Sequence, residues 1–101
     1  MIARVWRGWT RAEDSDRYVE YLQETGLAAF RSTPGNEGSY VLRRTEGDTT
    51  EFIVLSLWES NEAVKRFAGD GIDRAVFYPE DERFLVARDE HVTHYELISS
   101  D

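Results

Sequence analysis

The sequence predicts an α+β domain with the element order β-α-β-β-α-β, in which an antiparallel sheet carries both helices on one face. Three observations predict this order: period-two strands, a Gly-Asp turn between two of them, and two amphipathic segments that separate strands. Strands and helices in that order are typical of the ferredoxin-like fold. Because 101 residues match the usual size of one domain, we expect residues 1–101 to form a single unit.

The first predicted elements are a strand and a helix. Ile2–Trp9 alternates with period two, which places Arg4 and Trp6 on the same face of the strand. Thr10 and Glu13 have the spacing of a capping box, in which each side chain binds a free backbone N–H. This spacing predicts that the first helix begins directly after the first strand.

The next two strands are predicted to form a hairpin through Gly47-Asp48. The second of these strands is apolar on both faces: Ile53, Leu55 and Leu57 form one face, and Phe52, Val54 and Trp58 form the other. A strand that is apolar on both faces needs cover on both faces. We therefore expect a homodimer, in which a second copy lays its sheet face to face against the open face.

The last predicted elements are a helix and a strand. Ser60 or Asn61 is expected to cap the helix. Residues 69–84 read as irregular or short-helical, and Pro79 ends whatever precedes it. His91–Ile98 is expected to be the last strand.

Charge and composition exclude several classes of partner. The formal net charge is -8, from 20 acidic and 12 basic residues, which disfavours nucleic acid and anionic membrane surfaces as partners. The chain has 0 cysteines, which excludes disulfides, thiolate nucleophiles and cysteine-ligated metals. Without a signal peptide or a membrane-length apolar stretch, we expect a cytoplasmic protein.

A family resemblance covers nearly the whole chain. The segments PGNEGSYVLRR, EFIVLSLWESNEAVKRFAG, YPEDERFL and VTHYEL resemble the dimeric α/β-barrel superfamily, and within it the antibiotic-biosynthesis-monooxygenase domains. The resemblance implies a homodimer whose two sheets form one barrel, with a pocket between sheet and helices in each subunit. Members of this family include cofactor-independent monooxygenases acting on aromatic compounds, quinol oxygenases and haem-degrading oxygenases.

The resemblance disfavours the haem-degrading branch. Those proteins carry an Asn on the first strand, a Trp nine positions after the junction Trp, and a His ten positions further on. Counted from Trp58, these last two positions are Phe67 and Phe77, and the first strand has no Asn. Since the axial imidazole is missing, we expect no haem degradation, and likeness to the cofactor-independent branch implies that no cofactor is needed. His91 and His94 lie three apart on a strand and point to opposite faces, so we also expect no metal site.

The cofactor-independent branch implies an apolar pocket with a stacking aromatic and donors for a substrate anion. The candidate residues are His94 and Arg44 for catalysis, and Trp6, Tyr40, Trp58, Tyr78 and Arg4 for substrate binding. His94 shares a face with Glu96 and could be a base, or a histidine bonded near a dimer interface. Trp58 could stack on substrate, or fill the corner between strand and helix.

Two adjacent arginines have ambiguous orientations. Arg43 and Arg44 point to opposite faces, and whichever faces the barrel needs a ligand anion or a carboxylate such as Glu51 or Glu96. The three acids and one arginine of the segment YPEDER, among them Asp81, are expected to form a structured surface loop.

Two functions fit these residues, and haem binding without degradation is a third. One is a cofactor-independent monooxygenase that acts on a small aromatic, phenolic or quinol compound. The other is a non-catalytic, small-molecule-binding or stress-associated homodimer of the same fold.

Overall fold

The computed structural model describes residues 1–100 as five strands and four helices. The elements are β1 Ile2–Arg11, a 3₁₀ turn Ala12–Asp14, α1 Ser15–Glu24, α2 Gly26–Ser32, β2 Asn36–Glu46, β3 Thr49–Trp58, α3 Asn61–Ala68, α4 Asp81–Phe84, β4 Leu85–Arg88 and β5 Thr93–Glu96. All strand pairs are antiparallel, in the order β2-β3-β1-β4, and β5 also pairs with β1. This arrangement confirms the α+β, ferredoxin-like fold.

The hairpin between β2 and β3 forms as predicted. Glu46 pairs with Thr49, and Gly47 between them has φ 59°, a left-handed conformation that glycine adopts without steric cost. The pairing continues to Asn36 opposite Trp58, so it fixes which face each β3 side chain occupies.

One of the two predicted helix caps is present. The Ser60 hydroxyl accepts a hydrogen bond from the Ala63 N–H (3.2 Å), which caps α3 as predicted. The capping box at Thr10 is wrong, because β1 runs on to Arg11 and a 3₁₀ turn precedes α1. The Thr10 hydroxyl donates instead to the carbonyl of Arg11 (2.9 Å).

The predicted last strand is wrong in its bounds. The edge beside β1 is occupied by two short strands, β4 and β5, instead of one strand over His91–Ile98. Residues 90–92 leave β1 and bind residues 73–75: Val92 N–H donates to Asp73 O (2.8 Å), and Ala75 N–H donates to Glu90 O (3.0 Å). These two backbone hydrogen bonds connect the 69–84 segment to the chain between β4 and β5.

The two faces of β3 are apolar, as predicted. Phe52, Val54 and Trp58 face the helices and are buried in a core with Tyr18, Leu22, Phe30, Ala63 and Val64. The opposite face, which we call the outer sheet face, carries Ile53, Leu55 and Leu57, each half-buried. Its rim is open, since Tyr40, Leu42 and Tyr95 are 60%, 51% and 56% exposed. No helix within residues 1–100 is long and apolar enough to cross a membrane.

Candidate functional site

A cavity lies between the helix-facing side of the sheet and helices α1, α2 and α3. Its volume is about 60 Å³, and most of its lining is apolar, from Leu22, Leu27, Phe30, Val54, Phe67, Val76 and Phe77. Four polar side chains also line it: Arg4 from β1, Tyr18 from α1, Tyr78 from the segment before α4, and Asp81 from α4. An apolar cavity with a few convergent polar groups is the usual form of a small-molecule site.

Arg4 places a positive charge in this apolar surrounding. The residue is 4% exposed, and its guanidinium donates to the carbonyls of Ile72 (2.5 Å) and Arg74 (2.9 Å). Burial lowers the pKa of Arg4 to about 10, which the charge of Asp73 partly opposes, so the group is still protonated at neutral pH. Within residues 1–100, no carboxylate lies within ion-pair distance of this guanidinium.

His94 forms a side-chain hydrogen bond with the guanidinium of Arg4. Arg4 Nη1 and His94 Nε2 are 3.1 Å apart, and because a guanidinium can only donate, Nε2 is the acceptor. Nδ1 then carries the proton and faces the Asp73 carboxylate at 3.6 Å. Burial and the neighbouring Arg4 lower the pKa of His94, which Asp73 partly opposes, so the ring is neutral at pH 7. Asp73, and not Glu96, is thus its carboxylate partner.

Trp6 forms one wall of the cavity. Its indole N–H donates to the carbonyl of Asp89 (2.8 Å), which fixes the orientation of the ring. The ring lies over Gly8, where a Cβ atom would approach Trp6 Cη2 to 2.4 Å. Glycine at position 8 therefore allows the indole to lie against the strand, edge-on to Phe77 (centroids 6.5 Å apart).

Asp81 and Tyr18 supply polar groups from the helix side. Asp81 is 5% exposed, and one of its oxygens accepts from the Tyr78 N–H (2.6 Å). Burial raises the pKa of the Asp81 carboxyl, which the Tyr78 N–H and Arg88 partly oppose. Burial and the adjacent Asp81 raise the pKa of Tyr18, so this phenol stays protonated. The prediction of a surface loop is wrong for Asp81, because α4 turns this carboxylate inward.

The structure brings together four of the seven residues predicted for the site. Arg4, Trp6 and Tyr78 line the cavity, and His94 contacts Arg4. Trp58 is 0% exposed and does not line the cavity; it packs on Phe30 and Phe67. Its indole N–H donates to Ser56 Oγ (2.9 Å), inside the core.

Arg44 and Tyr40 lie on the outer sheet face, away from the cavity. Arg44 is near the carboxylates of Glu46 (3.6 Å) and Glu51 (4.0 Å), beside a surface depression of about 280 Å³. Its neighbour Arg43 faces the helices and donates to Asp16 Oδ1 (2.8 Å). The ambiguity about these arginines is thereby resolved, and neither points into the cavity.

Sequence reasoning missed the part of the cavity that comes from Tyr18, Phe77 and Asp81. Tyr18 sits on the apolar stripe of α1, where a phenol reads as a core residue. Asp81 stands in an acidic segment that resembles a solvated turn. The signal available for Asp81 was its position three residues after Tyr78, which suits a carboxylate that accepts from a backbone N–H.

Comparison with known proteins identifies the family. The family model described as antibiotic biosynthesis monooxygenase matches residues 1–71. The chain belongs to the antibiotic biosynthesis monooxygenase family. The matched part contains β1, both helices α1 and α2, the hairpin and α3, and therefore Arg4, Trp6 and Tyr18. A search of curated proteins finds no match.

Solved structures share the fold of this monooxygenase-family chain at low identity. A candidate antibiotic biosynthesis monooxygenase from Bacillus cereus is 19% identical with a TM-score of 0.69, over 99% of this chain and 95% of that one. The haem-degrader MhuD from Mycobacterium tuberculosis, with two haems in its active site, is 17% identical with a TM-score of 0.65, over 100% and 99%. An uncharacterised NIPSNAP domain protein from Burkholderia xenovorans is 14% identical with a TM-score of 0.59, over 98% and 96%.

Proposed function

We propose that this chain is a cofactor-independent monooxygenase that acts on a small phenolic or quinol compound. The observation that carries the proposal is the buried Arg4 guanidinium, which lines an apolar cavity without a carboxylate at ion-pair distance among residues 1–100. A buried cation of this kind favours an ionised oxygen on a bound ligand. Membership of the monooxygenase family supports the reaction class.

The residues around the cavity supply what such a reaction needs from the protein. Trp6 offers an aromatic wall, and Arg4 offers donors to the substrate anion. The ionised substrate reacts with dioxygen, so that one oxygen atom enters the product as a carbonyl and the other leaves as water with two substrate hydrogens. His94 acts through Arg4 as a positioning residue, because its Nε2 lone pair already accepts from the guanidinium.

Haem does not fit this cavity. In the described chain, residues 1–100, the cavity lining contains no histidine. Phe67 and Phe77 stand where the haem-degrading branch has Trp and His, and both face the cavity. A lining of this composition offers no axial nitrogen to iron. The proposed reaction therefore does not use haem, although MhuD shares the fold.

The same proposal includes a homodimer formed through the outer sheet face. The apolar side chains of β3 on that face, together with the exposed Tyr40, Leu42 and Tyr95, form a surface that a second copy would bury. Arg44 and Tyr40 then lie at the dimer seam and leave substrate binding to the cavity on the opposite side. A face-to-face sheet contact of this kind buries the apolar rim that a single chain leaves in water.

The test is oxygen consumption with a panel of one-ring and two-ring phenols and quinols, with a metal chelator present and no cofactor added. We expect uptake of dioxygen with at least one compound and one labelled oxygen atom per product molecule when ¹⁸O₂ is used. Arg4→Gln should lower the rate roughly 100-fold, whereas Arg7→Gln, at an exposed position of the same strand, should leave it unchanged.

A second function, ligand binding without turnover, is favoured by one observation. His94 Nε2 is occupied by Arg4, so no free imidazole base adjoins the guanidinium. The oxygen experiment separates the two functions. If a phenol binds saturably and no compound in the panel causes oxygen uptake, the protein binds its ligand without turnover and is not a monooxygenase.

A further inference from the structure

The cavity has a second polar end, opposite in chemical character to Arg4. Asp81 from α4 and Tyr18 from α1 both line it, together with Arg4 from β1. Arg4 can only donate hydrogen bonds, whereas a carboxylate can only accept them. A ligand that spans the cavity would therefore meet a donor at one end and an acceptor at the other.

Neither polar group of this second end is fully used by the protein. Tyr18 is 1% exposed, and no described residue hydrogen bonds to its hydroxyl. Among residues 1–100, every side-chain N or O atom that is sealed from solvent has a hydrogen-bond partner. The Tyr18 hydroxyl is therefore not sealed from solvent, and Tyr18 is one of the residues that line the cavity.

The same reasoning applies to Asp81. Oδ2 accepts from the Tyr78 N–H, which leaves Oδ1 without a hydrogen-bond partner among the described residues but not sealed from solvent, in a residue that lines the cavity. The charged and titratable groups nearest this carboxyl are Arg88 of β4, Tyr18 and Tyr21 of α1, and Tyr78. None of them is within ion-pair distance of Asp81 in residues 1–100, so the free oxygen remains available as an acceptor.

We propose that Asp81 and Tyr18 select ligands that carry a hydrogen-bond donor, such as a hydroxyl or an amino group, at the end remote from the anion held by Arg4. The inference rests on the proposed function, because it places a second ligand group in the cavity assigned to the substrate. A buried carboxylate that finds no donor on its ligand is left unpaired, so a ligand without the donor should bind poorly. Asp81 is in this account a specificity-determining residue.

The test uses three benzenediols, each compared with its monomethyl ether, in calorimetric titrations under argon. We expect the protein to bind at least one diol roughly tenfold or more tightly than its ether, the factor expected for one hydrogen bond to a charged group. The three diol isomers cover three spacings between the two oxygens. Argon removes turnover, so the result depends on binding alone.

Asp81→Asn is the informative variant. Its amide oxygen can keep the bond from the Tyr78 N–H, so the start of α4 is maintained, while its NH₂ group turns the free acceptor into a donor. We expect the preference for the diol to disappear or to reverse in favour of the ether. Tyr18→Phe should weaken the preference, and Glu82→Gln, an exposed acid of the same helix, should leave it unchanged.

Three results would overturn the inference: no benzenediol binds, the protein does not distinguish diol from ether, or Asp81→Asn retains the full preference. These failures are separable from failure of the proposed function. A diol preference without oxygen uptake in air would contradict the monooxygenase and leave the second polar end in place. Oxygen uptake with no diol preference would support the monooxygenase and contradict the role of Asp81 and Tyr18 in selecting the ligand.

Discussion

The Arg4 guanidinium donates a hydrogen bond to Nε2 of His94 at 3.1 Å, across the register pair that joins β1 to β5. Two side chains that are both cationic at low pH are thus neighbours in the folded protein. The contact requires a neutral histidine, because a protonated Nε2 has no lone pair to offer. The hydrogen bond that holds the Arg4 guanidinium therefore depends on pH.

Stability should fall on acidification because of His94. Its pKa is lowered in the folded protein, so below the ordinary value of 6.5 the unfolded chain binds a proton that the folded chain does not. The contribution of neutral His94 is complete above pH 6.5 and is lost as the pH falls through its lowered pKa. Urea unfolding between pH 5 and pH 8 measures the effect.

Two glutamine variants serve as the test and its matched control. His94→Gln keeps an acceptor for Arg4 but cannot titrate, so its stability should depend less on pH in this range. His91→Gln, at an exposed histidine, should behave as the unmodified protein does. Equal pH dependence in both variants would refute the role assigned to His94.

Trp58 should matter for folding and Trp6 for binding. Trp58→Phe removes buried volume and the bond to Ser56, and we expect a loss of about 1–3 kcal/mol in the free energy of unfolding. Phenol affinity should change less than stability does, because Trp58 does not itself line the cavity. Trp6→Phe should lower phenol affinity clearly and should affect the free energy of unfolding less. A large loss of affinity in Trp58→Phe would contradict the placement of this residue outside the site.

Gly8 should not tolerate a side chain. In Gly8→Ala the new methyl would stand 2.4 Å from Trp6 Cη2 and 2.9 Å from Cζ2, so the indole must move. We expect a destabilisation of about 1–3 kcal/mol from this overpacking, measured by thermal unfolding. Gly71→Ala, whose nearest neighbour is Arg74 Cδ at 3.8 Å, is the control and should change stability by less than about 0.5 kcal/mol.

The outer sheet face should determine the oligomeric state. Leu42→Arg places a charge on the exposed apolar rim, and sedimentation equilibrium should then give the mass of a monomer, 11.7 kDa, in place of a dimer. Glu20→Arg, at an exposed position of α1 away from the sheet, should leave the dimer intact. A monomeric unmodified protein would contradict the sheet-to-sheet dimer.

Local patterns were sufficient to predict most of the fold. The turn at Gly47, the cap at Ser60 and the two apolar faces of β3 each depend on neighbouring residues, and all three are present. The errors lie where distant segments compete for the same edge. Val92 binds Asp73 and leaves β1, a contact that no periodicity within the last strand could reveal.

The site was only partly predictable for a similar reason. Alternation along β1 placed Arg4 and Trp6 on one face, and the cavity is on that face. Whether Trp58 lined it depended on Phe30 and Phe67, which close over its ring from two helices. Asp81 is buried and accepts a hydrogen bond from the Tyr78 N–H, whereas its acidic segment read alone indicates a solvated turn.

The most direct test of the central claim is the pKa of a phenol bound in the cavity, followed through the absorbance of 4-nitrophenol as a function of pH. If Arg4 binds the ionised oxygen, the pKa of the bound phenol should fall by about 1–3 units below its value in water. In Arg4→Gln it should return to that value or rise above it, because an apolar cavity alone favours the neutral form. A bound phenol whose pKa is unchanged or raised, or lowered equally in Arg4→Gln, would contradict the account.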